Sequence, residues 1–139
     1  MRIAMIAPLV EAVPPPRYGG IERVVSGLTE ELVRRGHDVA LFASGDSVTS
    51  ARLVPGSPRA LRALGRSDDA TRLALRQMAD AYSRASEFDV IHNHIDALGF
   101  PFARRSKARS VATVHGRLDL PHLHEWYRRF AEQDRKSVV

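Results

Sequence analysis

The first 43 residues contain two short apolar runs separated by the pattern of an amphipathic helix. Residues 2–7 form a run that is apolar after Arg2 and ends at Pro8, which is typical of a buried parallel strand. Apolar residues recur at helical spacing over residues 21–35, and Gly36 follows as a helix stop. Residues 39–43 form the next predicted strand. A strand, a helix and a strand in this space predict a βαβ unit with two parallel strands.

The rest of the chain alternates in the same way. A helix is predicted over residues 69–86, with Leu75, Met78, Ala79 and Tyr82 on its apolar face. The other predicted elements are a short strand at 52–55, a strand at 88–92, a short helix at 96–105, a strand at 110–114, a helix at 123–135 and the start of a strand at 137–139. This alternation predicts an α/β fold, a doubly wound and mostly parallel sheet with helices on both faces. We expect one Rossmann-like domain over residues 1–139, cut off within its last strand.

Composition excludes several classes of protein. The chain has no cysteine, which rules out disulfides and cysteine-based zinc sites. Its net charge is +5, but the basic residues are spread along the chain and no nucleic-acid motif accompanies them, so no nucleic-acid partner is predicted. No apolar run reaches the roughly 18 residues of a membrane span. We expect a cytoplasmic protein, and weak peripheral contact with the inner face of the membrane is left open.

Gly19 and Gly20 lie between a proline-rich loop and the predicted start of the first helix. Free N–H groups and the positive end of the helix dipole meet at a helix N-terminus, which suits a phosphate. Glycines also allow a ligand to approach the backbone closely. The alternative is a flexible turn before the helix. The pair matches neither G-x-G-x-x-G nor G-x-x-x-x-G-K-[ST], so NAD and ATP sites are not supported.

Two later strand ends carry histidines, His92-Asn93-His94 and His115-Gly116. Ligands of doubly wound sheets bind beyond the carboxyl ends of the strands, so we expect these segments and the glycine pair to converge. His115 is suited to hydrogen-bond a ligand, although a structural role in its loop is equally open. We expect His92 and His94 to point to opposite faces of the strand end. That orientation argues against a metal shared with His115 or Asp96, and no metal site is predicted.

Five segments together resemble a known family. They are Met1–Pro8, Gly19–Arg23, Leu28–Leu32 with Arg35–Val39, Phe88–His94 and Ala112–Gly116. In their order and spacing they resemble the N-terminal domain of retaining glycosyltransferases with the GT-B architecture, a group that includes sucrose synthases and bacterial mannosyl- and glucosyltransferases. The resemblance covers essentially the whole chain and implies the Rossmann-like half of a GT-B fold.

The resemblance implies a role for each strand-end residue. Gly19 and Gly20 would lie near the donor diphosphate and the acceptor, and His115 would be the catalytic residue beside the transferred sugar. The donor would be a UDP- or GDP-sugar, with no cofactor or metal, and the acceptor could be a sugar, a lipid or a small molecule. The residues that would shape the cleft wall are His92, His94 and Gly116.

The resemblance also implies a C-terminal domain that holds the nucleotide-sugar and that this chain does not contain. We therefore expect the chain to be the acceptor side of a hexosyltransferase and to be inactive alone. Homodimerisation through an open sheet edge is left open. The alternative functions are a non-catalytic Rossmann-like binding module, a GT-B-like sugar-nucleotide epimerase and a metal-dependent hydrolase that uses the histidines.

Overall fold

The computed structural model describes residues 1–131, in which five parallel strands form one sheet with helices on both faces. The strands are β1 (Arg2–Ile6), β2 (Asp38–Ser44), β3 (Arg52–Ser57), β4 (Val90–Asn93) and β5 (Arg109–Ala112). The helices are α1 (Gly20–Arg34), α2 (Ala70–Ser83), α3 (Phe100–Arg105) and α4 (Pro121–Ala131). Single turns of 3-10 helix occur at Ser67–Asp69, Ala85–Glu87 and Asp96–Gly99.

The order of strands across the sheet is β3-β2-β1-β4-β5. The chain winds outward in one direction from β1 to β3 and in the other direction from β4 to β5, so its direction reverses between β1 and β4. Such a switch point is where a doubly wound sheet opens a crevice for ligands. The predicted α/β fold with a doubly wound parallel sheet is confirmed.

The central strand β1 is buried on both of its faces. Ile3 and Met5 pack on the side of α1, whereas Ala4 and Ile6 pack on the opposite side with Met78 of α2. Successive side chains of a strand alternate between the faces of a sheet. A strand covered on both sides therefore needs apolar residues at every position, which explains the uninterrupted apolar run of the sequence.

The helix α1 follows the predicted amphipathic pattern closely. Val25 is fully buried, and Leu28 and Leu32 pack against the same core. Val24, one of the apolar residues that recur at helical spacing over residues 21–35, is 50% exposed. The helix stops before Gly36, whose φ of 82° is a left-handed conformation that favours glycine.

The buried face of α2 differs from the apolar face predicted from its sequence. Leu75 is 40% exposed and Ala79 is exposed. The prediction that these two residues lie on the buried apolar face beside Met78 was therefore wrong. The buried face includes Gln77, whose side-chain amide donates from Nε2 to the carbonyl oxygen of Ala7 at 2.8 Å. A polar side chain is buried readily when it is hydrogen-bonded. The buried residues of α2 are Ala74, Gln77, Met78 and Ala81.

The loop between β1 and α1 is held by the connections that follow β2 and β3. The Leu61 N–H donates to the Leu9 carbonyl at 2.9 Å, and the Val48 N–H donates to the Val13 carbonyl at 2.8 Å. Leu9 and Val13 are also buried. Pairing of its backbone groups inside the protein gives this proline-rich loop a fixed course beside the end of β1.

An aromatic cluster attaches α4 to α3. The ring of Phe100 lies 5.5 Å from Phe130 and 5.9 Å from Tyr127, and the Trp126 indole N–H donates to the Ala97 carbonyl at 3.3 Å. The last part of the helix predicted at 123–135 and the strand predicted at 137–139 lie outside the described residues. Within residues 1–131, every helix is too short or too polar to cross a membrane.

Truncation of Met78 tests which face of α2 is buried. Met78 is fully buried, and removal of such a side chain costs about 2–5 kcal/mol of unfolding free energy. We expect Met78→Ala to fall in that range. Leu75→Ala, a matched truncation one turn earlier at an exposed position, should cost less than about 1 kcal/mol. Denaturant unfolding measures both, and equal losses would mean that α2 presents a different face to the sheet.

Candidate functional site at the strand ends

The carboxyl ends of β1, β4 and β5 lie side by side. The register pairs Ile6 with Asn93, and Asn93 with Ala112. One residue further along, the His94 N–H donates to the Ile6 carbonyl at 3.0 Å, and the Thr113 N–H donates to the Asn93 carbonyl at 2.9 Å. Parallel pairing therefore continues past the strands and brings His94 and Thr113 to the same edge.

Three histidine rings are stacked at this edge. The ring centroids of His92 and His94 are 4.1 Å apart, and those of His94 and His115 are 5.2 Å apart with an interplanar angle of 26°. Nδ1 of His94 lies 3.0 Å from Nε2 of His115, and Nε2 of His92 lies 2.7 Å from Oγ1 of Thr113. Both distances lie within the range of hydrogen bonds. The two strand ends that carry histidines thus meet in space.

The prediction that His92 and His94 point to opposite faces was wrong. Residues two apart along an extended chain project to the same side, and the two rings are neighbours for that reason. The orientation of the two histidines therefore gives no reason to exclude a metal ion. Nδ1 of His94 and Nε2 of His115 are hydrogen-bonded to each other, and Nε2 of His92 is hydrogen-bonded to Thr113. Among the residues that the structure describes, no group of three or more histidine or acidic side chains is arranged to hold a metal ion.

His94 is the buried member of the stack and is 1% exposed. Burial lowers its pKa to about 3, with smaller contributions from the neighbouring rings of His92 and His115. Burial also lowers the pKa of His92. His94 is therefore neutral at physiological pH. Its Nε2 is buried and has no hydrogen-bond partner within residues 1–131.

Asp96 joins the loop after β4 to the loop after β5. Its Oδ1 accepts the backbone N–H of His115 at 2.7 Å and that of Gly116 at 3.3 Å. Asn93 stabilises the turn after β4, since its Nδ2 donates to the Asp96 carbonyl at 2.9 Å and its Oδ1 accepts the Ile95 N–H at 2.8 Å. The two loops thus form one unit that holds the backbone of His115.

This role of Asp96 was not predicted from the sequence, in which the residue was considered only as a metal ligand. Asp96 has a φ of 41°, a left-handed conformation that Asn and Asp adopt more readily than most residues. Asn93 three positions earlier is the one available signal, because Asn and Asp side chains bond to nearby backbone groups in turns. The bond from Asp96 to His115 spans 19 residues and has no local sequence pattern.

Gly19 and Gly20 have different environments at the start of α1. Gly19 has a φ of 156°, and a Cβ placed on it would lie 2.6 Å from Cβ of Pro15. Its lack of a side chain is therefore required by the fold itself. Gly20 has no atom within 4 Å of the place that a Cβ would take. Only Gly20 therefore leaves open space at the helix N-terminus.

Glu22 is a buried carboxyl in the first turn of α1, 5% exposed. Burial is the largest effect on its pKa and raises it. Its Oε2 would lie 3.0 Å from a Cβ on Gly19, so the carboxyl turns back over the start of the helix. Glu22 belongs to the segment Gly19–Arg23, but no role was predicted for it from the sequence.

The glycine pair and the histidines share an edge of the sheet without touching through hydrogen bonds. In the described part of the chain, no hydrogen bond joins Gly19 or Gly20 to the three stacked histidines. They are related by topology, because α1 follows β1 and the histidines follow β4 and β5. These elements border the β1/β4 switch point.

Two of the comparisons with known proteins, with family models and with solved structures, give matches. The sequence model of Glycosyltransferase Family 4 matches residues 18–139. Among solved structures, the chain is similar to AviGT4, described as a glycosyltransferase involved in avilamycin A biosynthesis, with 23% identity and a TM-score of 0.51. That match covers 83% of this chain and 32% of AviGT4, so the chain spans about a third of that protein's length. A search of curated proteins gave no match.

The stability of the chain should fall between pH 7 and pH 5 because of His94. An unfolded histidine titrates near pH 6.5 and the folded His94 near 3, so the unfolded state binds more protons in this interval. The stabilisation is present above the unfolded value and is lost below it, by about 2 kcal/mol at pH 5. His94→Gln should remove most of this loss, as measured by denaturant unfolding at both pH values.

Two further variants serve as controls for this pH dependence. His122→Gln, at an exposed position of α4, should keep the loss seen in the unaltered chain. Glu22 acts in the opposite direction, because its raised pKa stabilises the fold at low pH and that stabilisation is lost as the pH rises. Glu22→Gln should therefore enlarge the loss. An unchanged loss in His94→Gln would contradict the assignment of His94 as the neutral buried group.

Proposed function

The chain belongs to Glycosyltransferase Family 4, and from this membership and the strand-end geometry we propose that it is the acceptor-side domain of a transferase. The enzyme would move a sugar from a UDP- or GDP-sugar to a sugar, lipid or small-molecule acceptor and would retain the configuration of the transferred sugar. The observation that carries the proposal is the His94–His115 pair at the β1/β4 switch point, where this fold binds ligands. The retention and the acceptor role are supported by the sequence resemblance alone.

His115 is the proposed catalytic residue beside the transferred sugar. Its backbone is held by Asp96 and its ring by His94, so the imidazole is oriented before any ligand arrives. Hydrogen-bonding groups fixed in advance stabilise developing charge without the cost of reorganisation. His92 and Gly116 would form the wall of the cleft beside it, and His94 would support that wall from its buried position against the His115 ring.

Gly20 is the proposed point of approach for the donor diphosphate. The first N–H groups of a helix lack partners within the helix, and the helix dipole favours an anion there. Open space at Gly20 is compatible with a phosphate against the backbone. Gly19 would contribute by shaping the turn. Burial of Glu22 disfavours its charged form, which would otherwise compete with a phosphate for the same helix end.

The nucleotide-binding half of the enzyme is proposed to be a second domain. A departing diphosphate needs positively charged groups and exclusion of water, which two-domain enzymes achieve by closing around the substrate. The edge of a single sheet does not enclose a ligand in this way. The coverage of about a third of AviGT4 supports a larger complete enzyme.

Replacing Gly20 with Ala tests the phosphate contact. A methyl group there meets no protein atom within 4 Å, so the unfolding free energy should stay within about 1 kcal/mol of the unaltered value. The same methyl would occupy the space proposed for the diphosphate. We expect at least a tenfold loss of kcat/KM for sugar transfer by the full-length protein, corresponding to about 1.4 kcal/mol of lost transition-state binding.

Gly27→Ala is the matched control for this variant. Gly27 lies two turns further along α1 and likewise has no atom within 4 Å of the place of a Cβ. Both variants add one methyl group to α1, but Gly27 lies inside the helix and Gly20 lies at its start, beside the strand ends. Gly27→Ala should retain transfer, and full activity of Gly20→Ala would contradict the proposed contact.

The 139-residue chain alone should not transfer sugar. We expect the full-length protein to bind a nucleotide-sugar and transfer its sugar, and the chain to show weak binding and no transfer, because the groups that stabilise the leaving diphosphate would be missing. Calorimetry with UDP, GDP and their sugars, together with a transfer assay, compares the two proteins. Tight nucleotide binding or sugar transfer by the chain itself would contradict the division of the site between two domains.

A further inference from the structure

The hydrogen bond between His94 and His115 restricts where each ring carries its proton. Nδ1 of His94 faces Nε2 of His115 at 3.0 Å, and both rings can be neutral only if one of these nitrogens carries a proton and the other accepts it. The low pKa of His94 keeps that ring neutral. Two arrangements therefore remain, and they differ in which ring donates.

The buried second nitrogen of His94 distinguishes the two arrangements. If His115 donates from Nε2, the proton of His94 must sit on its own Nε2, which is buried and has no acceptor within the described residues. If His94 donates from Nδ1, its Nε2 carries only a lone pair. Either state leaves a buried group that has lost its hydrogen bond to water, and of the two an N–H without a partner is the rarer in protein structures. The second arrangement is therefore favoured.

The favoured arrangement determines the state of His115. Its Nε2 accepts the bond from His94, so a neutral His115 ring carries its proton on Nδ1. His115 is partly exposed, and in the part of the chain that the structure describes its Nδ1 makes no hydrogen bond. The Nδ1–H group is then free to face a ligand.

We propose that His94 is a positioning residue that fixes the tautomer of His115, so that His115 presents Nδ1–H as a hydrogen-bond donor to an oxygen atom of the sugar. The identity of the ligand rests on the proposed function, but the tautomer is a property of the chain without any ligand. In this state His115 donates and does not act as a base through Nε2, which is already bonded. His94 itself, being buried, contacts no substrate.

The tautomers can be measured directly in the unaltered chain. Two-bond 1H–15N correlation spectra of the histidine-labelled chain at neutral pH distinguish protonated from unprotonated ring nitrogens, and single-histidine substitutions assign the signals. We expect protons on Nδ1 of His94 and on Nδ1 of His115. A proton on Nε2 of His115 would overturn the proposal, whether or not the chain proves to be part of a transferase.

His94→Phe tests whether His94 is the cause of that tautomer. The ring is kept and the donor is lost, so His115 should shift towards the Nε2–H form that free imidazoles favour. His92→Phe is the matched control, because His92 is stacked on His94 but bonds to Thr113 and not to His115. It should leave the tautomer of His115 unchanged. An unchanged tautomer in His94→Phe would overturn the proposal.

A conservative variant separates positioning from packing. The amide nitrogen of His94→Asn can occupy the place of Nδ1 and donate to Nε2 of His115, so this variant should restore the Nδ1–H form that His94→Phe loses. In the full-length protein, we expect His94→Phe to lower kcat more than it changes KM, and His94→Asn to recover part of kcat. Equal tautomer populations in His94→Asn and His94→Phe would contradict a role through the hydrogen bond.

Discussion

The parallel pairing of β1 with β4 is the constraint on which the rest of the site depends. Because β1 pairs with β2 on its other side, the chain leaves the ends of β1 and β4 in opposite directions and opens a crevice between them. The same pairing continues past the strands, where the His94 N–H donates to the Ile6 carbonyl. That bond brings His94 to the edge, and His94 in turn holds the ring of His115. A shift of one residue in this register would turn the side chains of β4 to the opposite face of the sheet.

The elements that could be predicted from the sequence are those specified by local patterns. The apolar run of β1, the amphipathic spacing of α1 and the glycine at its end each have one physical explanation. The convergence of the His92–His94 segment with His115 also followed, because parallel strands end at a common edge. The buried face of α2 could not be predicted, since it includes the polar residue Gln77, whose partner Ala7 lies 70 residues away in the sequence. The role of Asp96 was missed for the same reason, and the orientation of His92 and His94 was an error in applying the strand period.

The backbone and ring of His115 are held by hydrogen bonds, whereas the place of a Cβ on Gly20 is open. Asp96 fixes the backbone of His115, burial keeps His94 neutral, and Gly19 is required by contact with Pro15. Of the two glycines at the start of α1, Gly20 is the one with open space around the place of a Cβ. The oriented ring of His115 and the start of α1 lie at the same edge of the sheet. Preorganised polar groups suit a sugar, and a helix N-terminus suits the diphosphate joined to it. Membership of Glycosyltransferase Family 4 is consistent with this arrangement.

The central claim is that ligands bind at the carboxyl ends of β1 and β4, and backbone amide mapping tests it most directly. A 15N-labelled sample of the chain would be titrated with high concentrations of UDP- and GDP-sugars while the 1H–15N shift of every amide is followed. We predict weak, saturable shifts confined to the amides of Gly20, Ile95, Gly116 and their neighbours. Shifts at the amino ends of the strands, or no shift at any concentration, would contradict the account.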